Sequence, residues 1–444
     1  MIEFLLGMLA LVLGALYAYV RPGWRTTGPY LPDSFIAGLA LFAVGSSINA
    51  LQLRSDAADD VAVMAWLALC SSLIGAAAGA LWTRSRREFS DFVEASTAAL
   101  RAERLFVRAG LAVSALVCAW FIHAVFSSGS IAALLSLGSL LDDSSSLLTA
   151  RKMITAGTEE YFAPGYVKQF RDILIPVFLS AFVAMNRRFY KSIQFWLVVI
   201  VAVVAMLMTG QRFILVVLAG TVLVASYYVV GLRLRALVFA GLLMTATYGG
   251  LTVLLGRLPE GTTPMNAAGA IIGNIVDRAV ITVPRQNTLT HPVWKQLGPT
   301  MGSSWLDELS GIAPGGARVR FSNVLHSRAG GSEEGNSPLA LPIDSWLAWG
   351  WGGLLILPLL FSVALSAIDR ILLSRDSAIF FGLKVYLAIV VPLFYSPYLF
   401  ILYGGAVAAV LIAVVPFVRP VRIAPHAVRA STRSGPARDS RLVT

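Results

Sequence analysis

The stretch VAVMAWLALCSSLIGAAAGALW, from Val61 to Trp82, decides the fold. It contains no charged side chain. As a helix rising 1.5 Å per residue it is about 33 Å long, enough to cross the roughly 30 Å hydrocarbon layer of a bilayer. Asp56, Asp59 and Asp60 precede it, and Arg84, Arg86 and Arg87 follow it. Short loops rich in Lys and Arg are retained on the cytoplasmic side, so this segment runs inward.

Working outward, similar apolar runs recur along the chain. Before Val61 they lie near Ile2 to Val20 and Ser34 to Leu53. After Trp82 they lie near Leu105 to Phe126, Ile173 to Met185 with its flanks, Ser192 to Thr209, Ile214 to Val230 and Ala236 to Leu255. The last three are Trp346 to Ile368, Ile379 to Phe394 and Tyr398 to Val418. The expectation is an all-α, polytopic transmembrane bundle of about eleven spans. Composition agrees, because 57% of residues are hydrophobic and 13% charged. A soluble domain carries about 25% charged residues and cannot cover so much apolar surface.

The basic loops alternate. Arg21 and Arg25, the arginines after Trp82, then Arg187, Arg188 and Lys191, Arg233 and Arg235, and Arg370 and Arg375 fall on one side. Loops poorer in cations, with Arg54 or Arg212 alone or uncharged at Ser396 and Pro397, fall on the other. This places the N-terminus outside and the C-terminus in the cytoplasm. Glu3 precedes the first span and Arg21 follows it, the reverse of a secretory signal, so cleavage is not expected.

Four regions follow from this reading. Residues 1–255 form eight spans with an outer loop at 127–172, residues 256–341 a large extracytoplasmic loop domain, residues 342–418 three further spans, and residues 419–444 a basic cytoplasmic tail. Ile131 to Leu141 is too short to cross and reads as an interfacial or re-entrant piece at the outer surface. Ala267 to Val283 would carry Asp277 and Arg278 into the core, so it is expected to lie against the bundle. Arg108 and Lys384 stand near span ends, where a long side chain can snorkel to the interface. The net charge of +11 resides largely in inner loops and the tail, which favours anionic lipid over nucleic acid. Cys70 and Cys118 both fall inside spans and read as packing residues.

Chemistry is expected in the long outer segments, since loops of that length are rarely mere connections. They hold Arg151, Arg171, Arg278, Arg285, Arg318, Arg320 and Arg328 as candidate anion-binding groups, with His291, His326, Glu333, Glu334 and Asp344 as candidate proton acceptors. Arg212 stands in a turn too short to leave the interface, where a guanidinium pairs with an anion or snorkels. No P-loop, nucleophile elbow or zinc spacing is present, and no metal site is expected.

Several segments carry a family likeness: Thr209-Gly-Gln-Arg212, Asn274-Ile-Val-Asp-Arg278, Gly302-Ser-Ser-Trp-Leu-Asp-Glu-Leu309 with Ile312-Ala-Pro314, and Pro338 to Gly353. With this arrangement the chain resembles the bacterial O-antigen and capsule repeat-unit polymerases and, more distantly, the O-antigen ligases. It departs from them after Ile312, where many members read Ile-Pro-Arg and this chain has its next arginine at Arg318. The resemblance implies a GT-C type membrane glycosyltransferase acting on polyprenyl-diphosphate-linked glycans at the outer face of the inner membrane. It implies membrane lipids and a chain-length regulator protein as partners, and no cofactor. On this expectation Arg212, Arg278, Arg285, Arg318, Arg320, Arg328, Arg151 and Arg171 bind the substrate, and His326, Glu333 and Asp344 handle protons. A ligase differing only in acceptor, and a polysaccharide or lipid transporter, are the alternatives.

Overall fold

The computed structural model describes residues 2–22, 28–82, 89–97, 101–127, 164–208, 212–231, 269, 273, 277–310, 321–329, 339–393 and 404–418. Among these residues every regular element is helical. The first helices are α1 (Ile2–Val20), α2 (Leu31–Leu53), α3 (Asp56–Trp82), α4 (Phe89–Thr97) and α5 (Arg101–Ser127). Then come α6 (Pro164–Gln169), α7 (Ile175–Met185), α8 (Ile193–Met208) and α9 (Arg212–Val230). Four short helices follow: α10 (Thr282–Leu289), α11 (His291–Leu297), α12 (Ser303–Ser310) and α13 (Phe321–Arg328). The series ends with α14 (Leu341–Leu373), α15 (Ala378–Val390) and α16 (Ala406–Val418).

Five of them, α1, α2, α3, α5 and α14, are long and apolar enough to cross a membrane. Shorter apolar helices occur within α8, α9, α15 and α16. This is the architecture of an α-helical membrane protein, in which the helix satisfies its own backbone groups. The expected span at Ala236 to Leu255, the Ile131 to Leu141 stretch and the basic tail lie outside the described residues.

Two π-turns each precede a proline. Phe170–Leu174 joins α6 to α7 just before Pro176, and Asp277–Ile281 leads into α10 before Pro284. A proline cannot donate to the carbonyl one turn back and its ring crowds that carbonyl, so local widening of the preceding turn relieves the conflict. The fifth apolar run is consequently longer than its hydropathy indicates, an unbroken rod from Pro164 to Met185.

Packing divides the helices into two groups. In one, α3 is the hub for α1, α2 and α14. A Cβ added at Gly75 would sit 2.3 Å from the Leu359 carbonyl oxygen, and one at Gly79 would sit 2.3 Å from Ser366 Oγ. The Gly75-Ala-Ala-Ala-Gly79 stripe therefore lets two backbones meet, the way helices associate where no hydrophobic force distinguishes protein from lipid. In the other group, α7 packs on α5, α9 and α15, and α8 lies on α5. Short α4 is wedged between α7, α9 and α15 by Phe89 and Phe92, whose rings meet Tyr228 and Phe381.

Helix α14 differs from the expected span beginning at Trp346. It breaks at Trp349 (φ −144°, ψ 29°) and Gly350 (φ 62°, ψ −151°), the second a left-handed conformation suited to glycine. Leu341 to Ala348 is therefore a separate, largely buried helical segment of about two turns. The loop before α12 caps it: Thr300 N donates to the Leu347 carbonyl at 2.6 Å and Gly302 N to the Ala348 carbonyl at 3.0 Å. Carbonyls freed by the break are thus satisfied.

Lys384 does not snorkel. It is fully buried and donates to Asp369 Oδ1, which also accepts from Leu31 N at 3.3 Å. The Lys384 ammonium lies 5.8 Å from the Phe89 ring centre. Nearby, Asp33 accepts from Tyr17 Oη at 2.5 Å and pairs with Arg21 at 3.0 Å. Two acids and two cations thereby join the end of α1, the start of α2, the end of α14 and the first turns of α15. Arg108, by contrast, is exposed, as a snorkelling residue should be.

Candidate functional site

At the opposite end of the bundle, where α2 turns into α3, the segment from Asp277 to Ser310 folds over the helix ends. A polar ladder fastens it there. Asn49 of α2 donates its Nδ2 to Thr288 Oγ1 at 2.9 Å. Asn287, one residue earlier, donates to the Val283 carbonyl at 2.8 Å and accepts from Ala340 N at 3.0 Å. Its own carbonyl accepts the Trp294 indole N–H at 3.2 Å. Asn49 and Asn287 are each 1% exposed, so each amide replaces lost hydration with protein partners. The described part of the expected bundle-hugging segment behaves accordingly, with Val280 and Pro284 against Gly45 of α2.

Helix α11 brings a charged cluster to this layer. Asp60 Oδ2, near the start of α3, receives His291 Nε2 at 2.9 Å and Lys295 Nζ at 2.6 Å. A carboxylate only accepts, so His291 must carry its proton on Nε2, and in the neutral ring Nδ1 is left with the basic lone pair. The ring is fixed on its other side by Trp294, edge-on at 4.6 Å, which in turn meets Trp346 at 5.2 Å. Asp344, in the first turn of α14, is 2% exposed and engaged within the fold. A helix N-terminus favours negative charge there. Deeper along α2 an apolar crevice opens between Phe35, Gly38, Leu39, Phe42, Ala340, Leu341, Pro342 and Pro392.

The sequence-derived candidates fall into three groups. His326 is half-buried on α13, which packs against α11 and α12, so it belongs to the same layer as His291 and Asp344. Arg285 and Arg328 are exposed on that layer. Arg171 is elsewhere: it is buried in the π-turn beside α5, bidentate on Asp172 at 2.5 and 3.0 Å, with its guanidinium 5.7 Å from the Phe121 ring centre. Arg212 opens α9 and Arg278 stands in the second π-turn, but their side chains lie outside the described residues, as do Arg151, Arg318, Arg320, Glu333 and Glu334. No group of three or more potential metal ligands occurs among the described residues.

Asp60, Asn49, Asn287 and Trp294 were invisible as site residues in the sequence. Asp60 reads there only as a loop charge, and its partner is 231 positions away. The one local signal is Asn287-Thr-Leu-Thr290-His291, a run of residues that bond backward to their own helix rather than to solvent.

The Asp60 cluster yields a prediction. Asp60→Asn is expected to cost about 1–3 kcal/mol, because it weakens the charge-assisted bond to a buried imidazole. Lys295→Ala should cost no more than about 1 kcal/mol, since its ammonium is mostly exposed. Thermal unfolding of the detergent-solubilised protein compares them, and equal losses would show that the surface pair, rather than His291, matters to Asp60.

No protein-family model, curated protein or solved structure matches the chain.

Proposed function

We propose that the chain is a membrane glycosyltransferase of the GT-C kind. It joins polyprenyl-diphosphate-linked oligosaccharide repeat units into a surface polysaccharide at the outer face of the bacterial inner membrane. In this reading it has about eleven spans, with the N-terminus outside, the C-terminus in the cytoplasm and the Asp60 end of the bundle facing outward. The carrying observation is the layer fastened on that end, which gathers histidines, a buried aspartate and exposed arginines over the helix ends.

The chemistry needs two things. An acceptor hydroxyl attacks the anomeric carbon while the bond to the diphosphate breaks, and the electron pair leaves with the diphosphate oxygens. Guanidinium groups hold that growing charge in bidentate fashion, the role given to Arg212, Arg278, Arg285 and Arg328, with Arg318 and Arg320 in the same segment. The hydroxyl proton passes to a base of the layer, His326 or His291 Nδ1, the latter oriented by Asp60. Glu333 and Asp344 are further acids of this segment. The diphosphate is already an activated leaving group, and a chain-length regulator protein is the partner this reading implies.

Deleting the gene and resolving the surface glycan tests this reading. Loss of polymer with retained single repeat units supports polymerisation. Polymer retained on its carrier lipid makes the protein a ligase, and an unchanged glycan removes both.

A further inference from the structure

We propose that residues 297–306, with Trp349 and Trp351, form a lip embedded among the lipids of the adjacent leaflet, so that the lipid-facing surface of α14 continues past its break onto the layer that carries His291. The lip rests on the proposed function only for the name of that leaflet, the outer one.

The inference begins on α14 after its break. Trp351, Leu355, Ile356 and Leu360 are all exposed at four- and five-residue spacing, while Gly353, Leu354 and Pro358 on the other side are buried. One face of the helix is therefore apolar and covered by no described protein neighbour, which in a spanning helix is the face given to lipid. That surface does not stop at Gly350. Trp349 is itself exposed, meets Trp305 edge-on at 5.2 Å, and lies 3.2 Å from where a Cβ on Gly302 would stand. The Gly302 N–H bond to the Ala348 carbonyl fixes the loop in that place.

The loop continues the apolar face. Met301 is 76% exposed and Leu306 71%, with Leu297 joining them. Met301 has a φ of 53°, in the left-handed region that L side chains rarely adopt, so the most exposed apolar side chain of the loop is held by a strained backbone. In water that arrangement costs twice, through exposed hydrocarbon and through the backbone. In a leaflet the exposure becomes favourable and the two indoles take the interfacial position that tryptophan prefers. Lys295 and Gln296, also exposed, mark the polar side of α11.

The test uses the full-length protein in liposomes containing phospholipid brominated near the headgroup end of its acyl chains. Met301→Cys, Leu306→Cys and, as the aqueous control, Arg328→Cys are each labelled with bimane. The native Cys70 and Cys118 are buried, which keeps labelling selective. The expected result is loss of most emission at 301 and 306 relative to unbrominated lipid, and little change at 328. Unquenched probes at 301 and 306 overturn the proposal: fast labelling there means water, and slow labelling means a second copy or another protein on the lip. Quenching together with an unaltered glycan in the deletion strain leaves the lip standing and sinks the polymerase.

Discussion

Replacing Lys384 alone with methionine is expected to destabilise the protein by about 3–5 kcal/mol, the usual cost of removing one partner from a buried ion pair. Lys384 is fully buried and Asp369 is 2% exposed, so neither has water to fall back on. The single substitution removes the ammonium and leaves Asp369 its bond from the Leu31 amide, in a site built for a carboxylate beside an ammonium. Asp369→Leu strands the ammonium in the same way. The double variant Lys384→Met, Asp369→Leu should recover most of the loss, because apolar groups of similar volume often replace a buried pair without penalty. Thermal unfolding in detergent reads all three. A single variant as stable as the parent would show that the pair does not hold these helices together, and a double variant no better than the singles would mean the charges serve something other than each other.

The largest effect on activity is expected at Arg212. Helix α8 ends at Met208 and α9 begins at Arg212, so the guanidinium starts from a tight connection between two apolar helices. On the proposed topology that connection lies at outer headgroup depth, where a polyprenyl diphosphate keeps its phosphates. A guanidinium there is partly dehydrated and favours an anionic partner. Arg212→Ala should reduce polymer formation by roughly a hundredfold to a thousandfold, about 2.7–4 kcal/mol, by analogy with deleting a donor that strengthens in the transition state. Arg212→Lys should restore only part, because an ammonium is a point charge where a planar fork is needed. Glycan ladders measured beside membrane protein levels decide the matter: near-normal polymer from a well-expressed alanine variant removes Arg212 from the site, and full rescue by lysine makes it a headgroup anchor.

How much of this was legible in the sequence depends on the distance over which each feature is made. Val61 to Trp82 announces a helix because its hydropathy is local, and α3 extends only a few residues beyond it, back to Asp56. The break in α14 was not legible. Trp349 and Gly350 sit inside an apolar run, and hydropathy is blind to a backbone whose freed carbonyls are capped by Thr300 and Gly302, nearly fifty positions earlier. Lys384 was misread for a related reason. Its nearness to a span end was correct, but Asp369 lies across a tight turn on a different helix, and only packing shows that they meet. For the site, the long segment and its histidines could be read, because length and residue type are sequence properties. That His291 has a carboxylate behind it could not, since Asp60 reaches His291 only after α3 and α11 have been brought together.

The cluster at the far end carries one more implication. Asp33 and Asp369 are each answered by a cation, Arg21 and Lys384, so the group sums to zero where it stands. Displacing an elementary charge through a membrane potential yields about 2.3 kcal/mol per 100 mV, the work on which voltage-driven and ion-driven proteins run. A cluster whose positive and negative charges move together gives the potential nothing to pull on. With its positive and negative charges summing to zero, that end of the bundle is suited to hold helices together as an electrically silent keystone.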